Sequence, residues 1–252
     1  MRIADIGTGT GIWALDLASR SPETYQIDGF DISAAQFPDA STLPANVRLL
    51  VADGKQAPAA ERQGQYDVVH LRLLRAAMRT KADWELVCRH VELLLKPGGA
   101  VQWEEMSGGE LTLFDAKDRV LFTVGKGGLQ DHTDDPVTAL ARIPRILYES
   151  ATKHIVSMDA AALAPMLEGL GFHSTGVDVI SSDNVPAWRK VVTLGMTQLS
   201  SSVAKRFAMV GKLEGATAQD VDELQTKADE EVEAGAYYVV NMYIIFGRKS
   251  KG

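Results

Sequence analysis

The sequence predicts an α/β fold in which a mostly parallel sheet carries helices on both faces. Two observations predict it. Up to Met106, short apolar runs alternate with amphipathic segments, and the first apolar run enters a glycine-rich turn that a helix follows. The chain has 252 residues, of which 46% are hydrophobic, and this is enough for one sizeable α/β domain or a domain with an elaborated cap.

The first predicted strand and turn lie in residues 2–13, which read Arg-Ile-Ala-Asp-Ile-Gly-Thr-Gly-Thr-Gly-Ile-Trp. Gly7, Gly9 and Gly11 permit a tight turn and a close ligand, and the following helix presents unpaired N–H groups and a positive dipole end. A dinucleotide fingerprint needs a glycine where this chain has Ile12, so the spacing disfavours NAD. Because glycine turns also simply join strands to helices, the motif alone leaves a structural turn open.

The next two apolar runs both end in carboxylates. Tyr25 to Phe30 is followed by Asp31, at the distance from the glycine turn where an acidic residue meets a ribose diol in a βαβ unit. Residues 47–52 are followed by Asp53. Since ligands bind at the carboxyl edge of such sheets, we expect both carboxylates there. Taken singly, either aspartate is more typical of a helix cap or a turn than of a ligand site.

The remaining elements divide into a core and a cap. In the core we predict a fourth strand over Tyr66–Leu71, an amphipathic helix over Asp83–Leu95 and a fifth strand from Ala100. Residues 107–156 break the alternation, and we predict an inserted helical cap. Its predicted helices are Asp115–Val124 and Pro136–Thr152, the latter kinked at Pro144. The predicted later elements are helix Asp159–Leu170, strand Phe172–Ile180, cap helices within Val185–Val210, helix Ala218–Ala234 and strand Tyr237–Phe246.

Composition limits the partners and the compartment. A net charge of -7 argues against a nucleic-acid surface, because phosphate binding depends on clusters of Lys and Arg. The single Cys88 excludes a disulfide within the chain, and no metal site is predicted. Without a long apolar run or a signal pattern, we expect a cytoplasmic protein with no membrane partner. A homodimer stays open.

The motifs resemble the class I S-adenosylmethionine-dependent methyltransferases in order and spacing. The matching segments are residues 4–11, 29–33, 51–54, 66–70 and 95–99. Residues 31–38, 70–72 and 102–105 are similar to a fungal secondary-metabolism branch that includes gliotoxin-type N-methyltransferases and, more distantly, LaeA regulators. The resemblance implies a Rossmann-like fold with seven strands, an antiparallel last strand and the helical cap. The implied domains are a cofactor-binding core at 1–106, the cap insertion at 107–156, and the last two strands with further cap helices at 157–252.

The resemblance also implies S-adenosylmethionine as cofactor and a role for each motif. Asp5 would accept from the ammonium group of the cofactor, and Asp31 would accept from both ribose hydroxyls. Ile32 would pack on the adenine ring, whose amino group would donate to Asp53. The implied cofactor-binding residues are Asp5, Gly7, Thr8, Gly9, Gly11, Asp31, Ile32, Asp53, Gly54, His70 and Leu71.

The sequence leaves more alternatives open for the catalytic residues than for the cofactor-binding residues. Methyl transfer needs an oriented acceptor and, for a hydroxyl or a protonated amine, a base. His70 is the first candidate and would share a strand face with Arg72, although it would equally suit a hydrogen bond to the cofactor or a neighbouring strand. Glu104 and Glu105 are further candidates, and we select Glu105 with His70 as the catalytic pair.

The resemblance implies methyl transfer to an oxygen or nitrogen of a small, secondary-metabolite acceptor. Three alternatives stay open: a LaeA-like regulatory protein, a pericyclase that retains its cofactor, and an inactive homologue truncated at the amino terminus. The last arises because Met1 immediately precedes the first predicted strand, whereas members of the family carry helices before it.

Overall fold

The computed structural model describes residues 1–21, 24–125, 128–132, 138–151 and 159–251. The strands are β1 Arg2–Ile6, β2 Gln26–Asp31, β3 Val47–Val51, β4 Tyr66–Arg72, β5 Leu95–Phe114, β6 Val120–Gly125, β7 Gly128–Asp131, β8 Phe172–Ser181 and β9 Tyr237–Lys249. The helices are α1 Ile12–Arg20, α2 Lys81–Leu94, α3 Ala139–Ala151, α4 Leu163–Glu168, α5 Arg189–Met209 and α6 Ala218–Glu233.

The chain forms two compact units. Unit 1 comprises residues 1–105, 158–178 and 243–252, and unit 2 comprises residues 106–157 and 179–242. The boundaries between the two units fall within strands β5, β8 and β9, so each of these strands contributes residues to both units.

The sheet of unit 1 has the order β3-β2-β1-β4-β5, and β9 pairs with both β5 and β8. The first five strands pair in parallel. The contacts of β8 and β9 run in opposite chain directions: Ser250 N donates to Gly171 O, whereas Gly176 lies against Phe246. The mostly parallel sheet with an antiparallel last strand is therefore confirmed.

The two faces of this sheet bury different side chains. One face packs against α2 and α4 through Leu71 of β4 and Trp103 of β5, among other core residues. On the opposite face, Ile3 and Ile27 pack with apolar residues of α1. Because side chains alternate along a strand, His70 lies on the face opposite Leu71.

Unit 2 corrects the predicted cap. Residues 115–124 do not form a helix, because a tight turn at Asp115 leads into β6. With β6 and β7, the sheet has nine strands within the described residues instead of the seven predicted. The local pattern explains the difference, because Phe122 and Val124 alternate along a strand and are buried, pairing with Leu113 and Leu111 of β5.

The helices of unit 2 follow the prediction more closely. Helix α3 contains Pro144 and lies within the predicted span, of which residues 136, 137 and 152 fall outside the described ranges. Helices α5 and α6 match the predicted cap helix and the charged helix, and Thr217 with Asp220 forms the predicted capping box. Throughout the described ranges, no helix has both the length and the apolar composition that crossing a bilayer requires.

Candidate active site

The glycine turn after β1 depends on conformations that glycine adopts readily. Gly7, Gly9 and Gly11 have φ angles of 70°, 56° and 75°. A Cβ on Gly7 would also collide with the side chain of Leu74. The turn is tied to β2, because the N–H groups of Gly7 and Thr8 both donate to the Phe30 carbonyl, at 2.8 and 2.9 Å.

The turn leads directly into α1 without a side-chain cap. Gly11 is the N-cap residue, and no side chain of the described residues accepts from the first-turn amides there. These amides keep their hydrogen-bonding capacity and the positive end of the helix dipole. The arrangement suits an anionic or polar ligand group, as the sequence predicted for this turn.

Asp31 lies beside this turn at the end of β2. Its Oδ2 accepts from Gly9 N at 2.9 Å, and its Oδ1 accepts from Ser33 N at 3.1 Å. Each carboxylate oxygen can accept about two hydrogen bonds, so both oxygens retain capacity for a pair of hydroxyls. The adjacent Ile32 side chain is 67% exposed and offers an apolar surface next to that carboxylate.

Asp53, at the end of β3, starts a turn that α2 holds in place. Its Oδ1 accepts from Lys55 N at 2.9 Å, and the carboxylate lines a cavity of about 250 Å³. The same cavity is lined by His90, whose Nδ1 donates to the Gln56 carbonyl. Burial lowers the pKa of His90, so the neutral imidazole is favoured there.

A row of polar side chains crosses the carboxyl ends of three neighbouring strands on the α1 face. His70 Nδ1 lies 2.7 Å from Asp5 Oδ1, and Thr8 Oγ1 donates to Asp5 Oδ2 at 2.6 Å. On its other side, His70 Nε2 lies 3.6 Å from Glu104 Oε1, which is too long for a hydrogen bond but close enough for an ion pair. We call Asp5, His70 and Glu104 the histidine row.

Trp13 covers the histidine row from α1. Its indole ring stacks on the His70 imidazole with centroids 3.7 Å apart and planes 3° from parallel. His70 is fully buried, with 0% of its surface exposed. A stacked indole favours a cationic imidazole through its negative π face.

Electrostatics in the histidine row favour charged groups. Burial alone would lower the pKa of His70, but Asp5 and Glu104 together outweigh it, so the pKa is raised above its ordinary value. The interaction with His70 lowers the pKa of Glu104, against the opposing effect of burial. The arrangement therefore favours an imidazolium between two carboxylates.

Comparison with known proteins finds a family match in the first part of unit 1. Residues 3–99 match the family described as a methyltransferase domain. The match agrees with the parallel strands and the glycine turn, and it confirms the resemblance that the sequence motifs predicted.

Curated proteins similar to this chain include fungal methyltransferases. Methyltransferase grgD of Penicillium sp is 38% identical over 115 residues, covering 43% of this chain and 39% of the relative. N-methyltransferase verN of Clonostachys rogersoniana is 35% identical over 108 residues, covering 43% of this chain and 37% of the relative. The chain thus spans about two fifths of the length of these curated relatives.

The chain is also similar in fold to solved structures. Phosphoethanolamine N-methyltransferase 2 of Haemonchus contortus, in complex with S-adenosyl-L-methionine, aligns with a TM-score of 0.56 and 17% identity. The alignment covers 99% of this chain and 49% of that one. At this level of identity the likeness supports the fold, which is the Rossmann-like class that the sequence predicted.

Two predicted site residues have side chains on the sheet face opposite the histidine row. Glu105 is 1% exposed on the opposite sheet face, where its Oε2 accepts from the amides of Leu74 and Arg75 at 2.9 and 3.1 Å. The Leu71 side chain is buried in the core against α2 and α4. Strand alternation explains both placements, since neighbouring residues of one strand face opposite sides of the sheet.

The structure also places residues that the sequence analysis did not select. Trp13 stacks on His70, and Glu104 takes the position that was predicted for Glu105. Leu73, just after β4, has a φ of 55°, a conformation that non-glycine residues adopt mainly at strained or functional positions. Alternation along β5 from a buried Trp103 would have selected Glu104, whereas the Trp13 contact depends on packing between distant segments.

Across the described ranges, no group of three or more His, Cys, Asp and Glu side chains is arranged to hold a metal ion.

Proposed function

We propose that this chain binds S-adenosylmethionine and transfers its methyl group to an oxygen or nitrogen of a small acceptor. The observation that carries the proposal is the pair formed by the glycine turn and Asp31, at the carboxyl edge of a methyltransferase domain. When bound, the cofactor supplies an electrophilic methyl group on a sulfonium. Fungal relatives named methyltransferase and N-methyltransferase support this reaction class.

The residues present fit this cofactor. The uncapped amides of α1 and the backbone at Gly9 leave room for the methionine portion, since a Cβ at Gly9 would meet only the Gln36 side chain at 3.5 Å. The two oxygens of Asp31 suit the ribose hydroxyls, and the exposed Ile32 suits one face of the adenine ring. Asp53 and Gly54 would receive the polar edge of that ring.

Asp5 has a different part in this proposal from the one that the resemblance implied. Both of its oxygens already accept buried protein donors, from His70 and Thr8. Asp5 is also only 3% exposed, so a ligand group has little access to the remaining lone pairs of its carboxylate. We therefore infer that Asp5 orients His70 and stabilises the glycine turn through Thr8.

Glu104 replaces Glu105 in the catalytic assignment. Its side chain is 20% exposed, and its Oε1 accepts from Gln102 Nε2 at 2.9 Å. A partly exposed, ionised carboxylate at the end of β5 can orient the acceptor or receive its proton. His70 is less suited to that task because Trp13 and the strand ends bury it completely.

Calorimetric titration with S-adenosylmethionine and S-adenosylhomocysteine tests the proposal. We expect micromolar binding that weakens about 10- to 100-fold in Asp31→Ala, as removal of a charged hydrogen-bond acceptor predicts. Asp39→Ala is the matched control, because Asp39 is an exposed carboxylate that bonds only to Ser41 among its described contacts. Equal binding by wild type and Asp31→Ala, or none by wild type, would refute the assigned site.

Acceptor assays then separate the remaining alternatives. Formation of S-adenosylhomocysteine with an added amine or hydroxyl compound would support methyl transfer. Tight cofactor binding without any turnover over a broad acceptor panel would instead favour a cofactor-retaining or regulatory protein.

A further inference from the structure

The histidine row has a feature that cofactor binding does not explain. His70 Nε2 is buried, and among the described residues it has no hydrogen-bond partner. A buried ring nitrogen without a partner is unfavourable unless a nearby charge compensates for it. The nearest such charge is Glu104 Oε1, at 3.6 Å.

We propose that His70 is a positioning residue, a buried cation that keeps Glu104 ionised and oriented at the carboxyl edge of the sheet. The inference rests on the proposed function, since it assigns Glu104 to the acceptor side of that site. Strand register supports it: Asp5 pairs with His70 across β1 and β4, and His70 pairs with Gln102 across β4 and β5. The three strands thereby place Asp5, His70 and Glu104 on one face in a fixed order.

The charges around His70 come from each element that packs on it. From β1 it meets Asp5, from β5 it meets Glu104, and from α1 it meets the uncharged Trp13. Arg72, two residues further along β4, acts on Glu104 and also favours its ionised form. A cationic His70 between Asp5 and Glu104 balances two carboxylates that would otherwise repel each other in a buried setting.

Three consequences follow for the reaction. With a lowered pKa, Glu104 holds or orients a cationic or hydrogen-bonding acceptor better than it accepts a proton. His70 acts on the acceptor only through Glu104, because its own ring is enclosed. Loss of the His70 charge should therefore change substrate orientation and kcat more than cofactor affinity.

Nuclear magnetic resonance of the full chain labelled with 15N-histidine tests the proposal without cofactor or acceptor. The ring nitrogens distinguish an imidazolium from either neutral tautomer. We expect His70 to titrate above its ordinary pKa of 6.5 and its pKa to fall in Glu104→Gln. Glu104→Asp keeps the charge and should keep the pKa raised.

His90 is the internal control, because it is also buried but is bonded to a neutral carbonyl. Its titration should lie below 6.5 and should not respond to Glu104→Gln. His70→Asn assigns the His70 signal, and if that variant does not fold, the nuclear Overhauser contacts of His70 to the Trp13 ring assign it instead. A His70 pKa at or below 6.5, or one unchanged in Glu104→Gln, would overturn the proposal.

A double-mutant cycle gives the second arm once an acceptor is known. If His70 acts through Glu104, the loss of kcat in the double variant His70→Asn, Glu104→Gln should equal that of Glu104→Gln alone. If instead the kcat losses of the two single variants multiply in the double variant, the two residues act independently, which would contradict the positioning role. Because the titration needs no turnover, its failure is distinguishable from failure of the methyl-transfer proposal.

Discussion

Two buried histidines of unit 1 show how one side chain takes two electrostatic states in one fold. His70 and His90 are 0% and 4% exposed, so burial penalises the charge of both. His90 donates to the neutral Gln56 carbonyl, and its pKa is lowered. His70 lies between Asp5 and Glu104, and its pKa is raised. The partner, and not the degree of burial, decides which form is favoured.

The opposite pKa shifts follow from where each histidine lies in the fold. His70 lies where parallel strands end side by side, so residues from β1 and β5 bring carboxylates to it. His90 lies on α2, where its partner is a turn of the backbone after β3. Charged constellations are thus concentrated at the carboxyl edge, where α/β sheets place their ligands.

The largest effect should come from removing the anion next to His70. Asp5→Ala leaves a buried histidine and the Thr8 hydroxyl without their acceptor, and breaking a buried ion pair typically costs about 3–5 kcal/mol. Urea denaturation measures the change. Asp16→Ala, which removes the exposed pair with Arg20, should cost less than about 0.5 kcal/mol. Equal costs for the two variants would contradict the importance of the buried pair.

The second-largest effect should come from adding a methyl group beside the contacts that hold His70. A Cβ on Gly29 would lie 2.6 Å from Leu49 Cδ2 and 2.8 Å from Thr8 Oγ1, which is itself bonded to Asp5. We expect Gly29→Ala to lower the free energy of unfolding by about 1–3 kcal/mol and to disturb the His70 titration.

Gly54→Ala is the matched change near His90. Its Cβ would meet only Ile6 Cγ2, at 3.0 Å, so the loss of stability should be smaller, below about 1 kcal/mol. Thermal unfolding of both variants tests this order. A larger loss in Gly54→Ala would show that the Thr8 and Asp5 contacts are not constrained by Gly29.

The pH dependence of stability should have opposite signs for the two histidines. The raised pKa of His70 means that its stabilising contribution is complete below pH 6.5 and is lost as pH rises through the folded-state pKa. The lowered pKa of His90 means that its contribution is complete above pH 6.5 and is lost as pH falls through the folded-state pKa.

Urea denaturation of wild type, His70→Asn and His90→Asn across pH 5–8 measures these contributions. The stability that His70→Asn loses should shrink as pH rises, whereas the loss in His90→Asn should grow. Slopes of the same sign would contradict the assigned partners.

The smallest expected effect concerns the reactivity of the Cys88 thiol. Cys88, on the same helix as His90, is buried, and burial raises the pKa of its thiol to about 12. A thiol reagent at pH 8 should leave the native chain unmodified and label one thiol after denaturation. Rapid labelling of the native chain would show that α2 is less well packed than described.

The sequence was sufficient for the elements whose patterns are local. The glycine turn, Asp31 and Asp53 follow apolar runs, so both strand ends and the sheet edge could be predicted. Strand β6 was missed because its alternation is short and a helical assignment suited the surrounding cap. The stacking of Trp13 on His70 could not be predicted from the sequence, because it joins α1 to β4 through contacts that no local pattern encodes.

Amide hydrogen exchange with and without S-adenosylmethionine tests the central claim most directly, because it locates the cofactor without assuming an acceptor. The account predicts added protection at residues 7–13, 31–33 and 53–55, and loss of that protection in Asp31→Ala. Protection confined to other segments, or none at saturating cofactor, would contradict it.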